Sequence, residues 1–159
     1  MRRKDKEIID YHLIERILAE ADIIRLAMVD EDEPYLVAMN YAYIDGRLYM
    51  HSAKEGNKIE ILKKNNKVAF QTEIGVELAL KEENCSCGTR YLSVFGKGNA
   101  FFIDENKEKT SALDAIMTKY AKKVAFEYPT EVFDRTLVIK VEIESMTGKN
   151  RIIRGYVTN

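Results

Sequence analysis

The chain is predicted to be an α+β domain, mainly β, built around a small antiparallel barrel. Three observations carry that expectation. Asp45-Gly46 stands between two strand-like runs and is a strong two-residue hairpin signal. A long strand-like run from Arg90 to Ile103 is interrupted by Gly96-Lys97-Gly98, the pattern of a bulge or sharp bend. The strand-like runs are joined by hairpins as often as by helical segments, and no GxGxxG occurs, which argues against a parallel doubly wound sheet.

The elements follow in order. Ile14, Ile17, Leu18 and Ala21 recur at i, i+3, i+4 and i+7 with Glu15, Arg16 and Glu20 between them, an amphipathic first helix with His12 on the surface ahead of it. Ile23 to Val29 reads as a strand, bounded by the acidic turn from Asp30 to Glu33 and by Pro34. Tyr35 to Ile44 is a second strand, and Arg47 to Ser52 a third across the hairpin. A helix begins after Gly56, carries Ile59 and Leu62, and ends in Lys63-Lys64-Asn65-Asn66. Lys67 to Thr72 is a fourth strand. Ile74 to Gly88 has no clean period and reads as a strand extension followed by a mobile loop. Arg90 to Ile103 follows as the long bent strand. Asp104 is placed to cap a third helix, whose apolar face is Ala112, Leu113, Ile116, Met117 and Tyr120. Leu137 to Ile143 alternates as a final strand that Thr147-Gly148-Lys149 ends.

Composition bounds the function. The 159 residues are 46% hydrophobic, enough for one domain (1–159) with a real core. Twenty-five basic residues face 26 acidic ones, a balance that gives no support for nucleic-acid binding. Arg2-Arg3-Lys4 is followed at once by Asp5 and Glu7, so it is neither a basic arm nor a signal-peptide start. No apolar run is long enough to span a membrane, and a cytoplasmic location is the expectation. Cys85 and Cys87 form a Cys-Ser-Cys-Gly turn. A disulfide at that spacing is strained, and with only His12 and His51 elsewhere the four-ligand set of a structural zinc is not met. Two free thiols are expected and no metal.

Leu48-Tyr49-Met50-His51-Ser52-Ala53-Lys54-Glu55-Gly56-Asn57-Lys58-Ile59 carries the chemistry. A strand ending in Ser, a Gly turn and a basic residue in the first helical turn suit a phosphate. The unpaired amides of the helix start point at the anion, the Ser52 hydroxyl donates, and Lys58 adds charge. It is not a Walker loop, which needs GxxxxGK[ST].

Four stretches together resemble the FMN-binding split barrel of the pyridoxamine 5′-phosphate oxidase-like superfamily, and within it the nitroimidazole-resistance (Nim-like) branch. Pro34 to Tyr43 is similar to that branch's PYxVPxNFxY strand, and Leu48 to Lys58 to its YFHSAxxGxK segment. Arg90 to Gly98 is similar to its YxSVxGxG strand, and Lys107 to Tyr120 to the helix that follows. Ala38 stands where Pro is common. Asn57 stands where the branch often has Arg or Lys, leaving one fewer positive charge for a phosphate.

The resemblance implies a six-stranded Greek-key split barrel with about three flanking helices, and FMN bound at a homodimer interface. It places the FMN phosphate near Ser52, Asn57 and Lys58. It lays the ring along Val37, Met39, Asn40 and Tyr41, with Arg90, Tyr91 and Ser93 approaching from the long strand. The implied activity is an oxidoreductase that passes hydride or electrons from reduced FMN to a small electron-poor acceptor, a nitro compound or quinone, with NAD(P)H as a donor. A flavin- or other cofactor-binding module without turnover, holding deazaflavin or haem, is the alternative. His51 is either the catalytic proton-handling or substrate-facing residue or a polar residue closing a strand end. Pyridoxamine phosphate oxidation itself is disfavoured by the absence of Trp.

Overall fold

The computed structural model describes residues 3–79, 87–121 and 126–151. Chain order runs through a 3-10 turn at Lys4–Lys6, β1 (Glu7–Ile8), α1 (Tyr11–Glu20), β2 (Ile24–Asp30), β3 (Glu33–Met39), β4 (Tyr41–Ile44) and β5 (Arg47–Ala53). It continues through α2 (Asn57–Lys64), β6 (Lys67–Ala79), β7 (Gly88–Ile103), α3 (Asn106–Ala121), α4 (Thr130–Arg135) and β8 (Thr136–Arg151).

All pairings are antiparallel, in the order β3-β2-β6-β7-β8-β5-β4, with β1 added beside β8. The two ends of that path, β3 and β4, are consecutive in the chain and joined through Asn40 alone. A sheet whose end strands meet through one residue must curl on itself, and since β3 and β4 do not pair, the barrel stays split along that seam. The interior is lined by Leu26, Met28, Phe70, Leu92, Val94, Ile139 and Val141, and is closed by the apolar faces of α1 and α2. A smaller cluster, with Tyr49, Ile103, Leu113 and Val138 in it, lies where α3 covers the outer face.

Local chemistry explains most elements. The Asp10 side chain accepts from the His12 and Leu13 amides and caps α1. Asp45 and Gly46 take φ values of 47° and 76°, the left-handed pair that a two-residue hairpin requires. The Gly96-Lys97-Gly98 bend appears as a register shift between Lys97 and Gly98 against β8.

Several expectations change. The sheet has eight strands rather than six, and four α-helices are present among the described residues; α4 is the additional one. The Tyr35–Ile44 run breaks at Asn40, because the Tyr41 amide donates to the Tyr120 hydroxyl (3.0 Å) instead of to a neighbouring strand. His12 lies inside α1, still exposed. Glu105, not Asp104, caps α3 by accepting from the Lys107 and Glu108 amides. Gly148 does not end the last strand. It is buried mid-β8, where an added Cβ would lie 2.8 Å from Ile8 and Ile14, so its smallness admits β1 and α1. β6 runs on to Ala79. Cys87 is exposed, whereas Cys85 and most of the expected loop lie outside the described residues.

Candidate functional site: the cleft at the end of β5

Alternation along β5 sends Leu48, Met50 and Ser52 toward the barrel interior and Tyr49, His51 and Ala53 to the opposite face. Ser52 is 9% exposed, and its hydroxyl has no hydrogen-bond partner among the described residues. A buried hydroxyl left unsatisfied costs roughly 1–3 kcal/mol, so this group has bonding capacity to offer at the end of β5.

Just beyond, Gly56 opens α2 with a φ of 120°, a region side-chain-bearing residues rarely adopt, and provides no side-chain cap. The Ile59 amide is the first to bond back, to the Gly56 carbonyl (2.9 Å). The Asn57 and Lys58 amides therefore precede the helical ladder at its positive end.

A cleft of about 490 Å³ wraps the end of β5. It is lined by His51 through Glu55 and, across the sheet, by Arg135 and Thr136. The register places Thr136 beside Ala53, Leu137 beside Ser52 and Val138 beside His51. Among the described residues Lys54 and Arg135 have no acidic partner, so the cleft carries two uncompensated cations against the single carboxylate of Glu55. The two cations and the Ser52 residue that line the cleft, with the start of α2 beside it, suit a phosphate-bearing anion.

Of the expected site residues, His51 and Ser52 share this cleft. Asn57, exposed, and Lys58, half-buried, begin α2 beside it without lining it. Val37 packs against the main core and Met39 belongs to it. Asn40 is exposed at the corner between β3 and β4. Tyr41 is fully buried: its hydroxyl donates to the Leu18 carbonyl (2.5 Å) and its ring lies under the Lys119 ammonium at 3.6 Å, so its side chain is a core element and not a surface for a ligand.

Arg90, Tyr91 and Ser93 lie on β7, which β8 separates from β5. Lys149 donates to the Tyr91 hydroxyl (3.4 Å) and, as the largest influence, holds its pKa below the usual phenol value. Sequence reasoning missed Lys54, Arg135 and Thr136 as cleft residues. Lys54 sat within the motif already singled out, while the other two depend on α4, which has too few residues to leave a periodic signature.

The rolled antiparallel sheet and its seam at Asn40 define a split-barrel protein, with a cleft lined by Lys54 and Arg135 beside α2. Residues 10–150 match the family described as pyridoxamine 5′-phosphate oxidase, and the chain belongs to it, in the Nim-like branch. It is 38% identical to the crystal structure of a "putative 5-nitroimidazole antibiotic resistance protein" from Bacteroides thetaiotaomicron VPI-5482, covering 90% of this chain and 85% of that one with a TM-score of 0.80. A flavocytochrome from Azotobacter vinelandii shares the fold at 15% identity and a TM-score of 0.81, over 96% of this chain and 72% of its own. An FAD-binding protein from Mesorhizobium loti does so at 21% and 0.67, over 91% and 96%. A curated relative, an uncharacterised protein from Rhizobium meliloti (strain 1021), is 40% identical over 55 residues, 35% of this chain and only 36% of that protein.

Proposed function

We propose that this chain, as one domain over 1–159, binds FMN and serves as a reductase of small electron-poor acceptors, a nitro compound or a quinone. The observation that carries the reading is the buried Ser52 hydroxyl, unpartnered among the described residues, in a cleft that Lys54 and Arg135 line beside the start of α2. Ser52, the Asn57 and Lys58 amides and the Lys58 ammonium hold the phosphate. β3 pairs on one side only, with β2, so the backbone of Val37, Met39 and Asn40 offers groups to the edge of the ring system. The flavin-binding named for the relatives from Azotobacter vinelandii and Mesorhizobium loti supports the ligand class.

Bound and reduced, the flavin supplies hydride or single electrons, and the protein's part is to orient it and exclude competing reactions. His51, exposed on the strand that enters the cleft, holds or moves a proton at the acceptor. Arg90, Tyr91 and Ser93 reach the ligand from a second copy in a homodimer. The uncovered outer face supports that assembly, since Leu36 and Phe95 are 61% and 47% exposed there beside two shallow hollows. NAD(P)H is the donor and the cytoplasm the location that complete the reading.

The test is the absorbance spectrum of gently purified protein, mass identification of what heat releases, and NAD(P)H-dependent reduction of a nitro compound. A two-band flavin spectrum, released FMN and acceptor-dependent turnover are expected. A colourless protein that also fails to bind added FMN would sink the reading.

A further inference from the structure

We infer that Lys109 is a positioning residue for the cleft: it fixes the last turn of α4 so that Arg135 faces the phosphate of the bound ligand. This rests on the reading above, that the cleft receives a flavin phosphate.

Lys109 is 6% exposed, and buried lysines are rare unless an acid pairs with them. No carboxylate forms an ion pair with it among the described residues. Its ammonium instead donates to the Phe133 carbonyl (2.5 Å) and lies 4.1 Å from the centroid of the Phe133 ring. Burial and the nearby Lys54 charge, in that order, push its pKa below the ordinary lysine value, with Asp134 and Asp104 opposing. A fold needing only an apolar plug here would place Leu or Met, so the buried charge calls for a use.

α4 has six residues, too few to hold a helix by propensity alone. Its terminal carbonyls are secured from outside. The Thr136 hydroxyl donates to the Val132 carbonyl (2.7 Å), and the Thr136 amide and Lys109 both donate to the Phe133 carbonyl. A cation at a helix C-terminus also complements the helix dipole. The carbonyl that Lys109 holds lies two residues before Arg135, the cation that lines the cleft. Lys54 and Arg135 line the cleft end and Lys109 lies close enough to feel the Lys54 charge, with Glu55, Asp104 and Asp134 as the nearby carboxylates.

The experiment compares FMN with riboflavin, which lacks the phosphate, by fluorescence titration of wild type, Lys109→Met, Arg135→Gln and the double variant, each with an unfolding curve. Wild type is expected to prefer FMN. Lys109→Met should reduce that preference about tenfold, Arg135→Gln by at least as much, and the double variant no further than Arg135→Gln alone, with riboflavin affinity unchanged throughout. A wild-type preference kept in Lys109→Met, or losses that multiply in the double variant, overturns the inference and leaves the phosphate reading standing. Wild type with no preference for FMN removes both. Should Lys109→Met not fold, Arg135→Gln decides: an undiminished preference leaves Lys109 nothing to position and overturns the inference, and a tenfold loss supports it.

Discussion

The Lys119 ammonium lies 3.6 Å from the centroid of the Tyr41 ring, buried and without a hydrogen-bond partner among the described residues. Burial, its largest influence, lowers its pKa to about 8, with Asp22 opposing. The cation–π contact offsets part of the cost of desolvation but does not replace the lost water. Because the unfolded chain holds the proton more tightly than the folded one, the penalty is fully present below pH 8 and fades as the pH rises from there toward the unfolded lysine value of about 10.5. Stability of the wild type should therefore climb across that window by an increment that Lys119→Met lacks. Paired urea unfolding curves of the two proteins at pH 7 and pH 10 check it. Parallel behaviour would show that Lys119 keeps an ordinary pKa.

Tyr120 locks the corner between β3 and β4. Its hydroxyl accepts from the Tyr41 amide (3.0 Å) and donates to the Asp22 carbonyl (2.6 Å). Tyr120→Phe strands a buried amide and should cost about 1–3 kcal/mol of stability. Chemical denaturation measures it, and a wild-type midpoint would mean that water substitutes for the hydroxyl.

Gly96 and Gly98 separate two kinds of crowding. A Cβ on Gly96 would meet the Phe70 ring at 2.2 Å, and one on Gly98 would meet the Glu142 carbonyl oxygen at 2.2 Å. Both alanine variants should lose about 1–3 kcal/mol or more. Phe70→Leu should restore part of the loss in Gly96→Ala and none in Gly98→Ala, where the obstacle is backbone. Equal rescue of both, read from thermal melts, would contradict the packing described.

Ser52 sets ligand affinity against stability. Ser52→Ala removes a hydroxyl that is unsatisfied without ligand, so the ligand-free protein should be as stable as wild type or more so by about 1 kcal/mol. FMN affinity should fall in the same variant, and in Lys58→Ala by about 1.5–3 kcal/mol, the scale of a charged hydrogen bond. Titration calorimetry with FMN, run beside ligand-free melts, gives both numbers. A Ser52→Ala protein less stable without ligand would show that the hydroxyl already has a partner.

The apolar outer face yields a prediction about assembly. Leu36→Lys with Phe95→Lys should convert a dimer to a monomer and release bound flavin, because part of the proposed site would come from the second copy. Analytical ultracentrifugation decides, and a monomeric wild type would end the proposal.

Elements governed by their own residues were readable from sequence: the α1 stripe, the Asp45-Gly46 turn and the bulge in β7. Elements governed by a distant partner were not. Tyr120 imposes the break at Asn40 from the far end of α3, Ile8 and Ile14 explain why Gly148 sits inside a strand, and Lys109 supports α4. The cleft divides the same way. His51 and Ser52 lie in one contiguous motif, but Arg135 enters only through tertiary placement, and the strand pattern of Tyr41 gives no sign that its hydroxyl ties to Leu18. Aromatic and apolar strand residues suit a ligand surface and a core equally well until the neighbours are known.

The bonds of Tyr120 to Tyr41 and Asp22 span 79 and 98 residues. Such contacts carry a larger loop-closure cost than the β6–β7 and β7–β8 pairings, so the corner should close only after the β6–β7–β8 ribbon and α3 exist. In kinetic terms the seam is a late event on the folding side and an early one on the unfolding side. Stopped-flow measurements on Tyr120→Phe should accordingly show faster unfolding with a nearly unchanged folding rate, and a slowed folding limb would place the corner in the nucleus instead. A barrel that fastens late at Asn40 also loosens early there, making the β3–β4 corner a place where the native protein should open and close locally while the β6–β7–β8 ribbon stays formed.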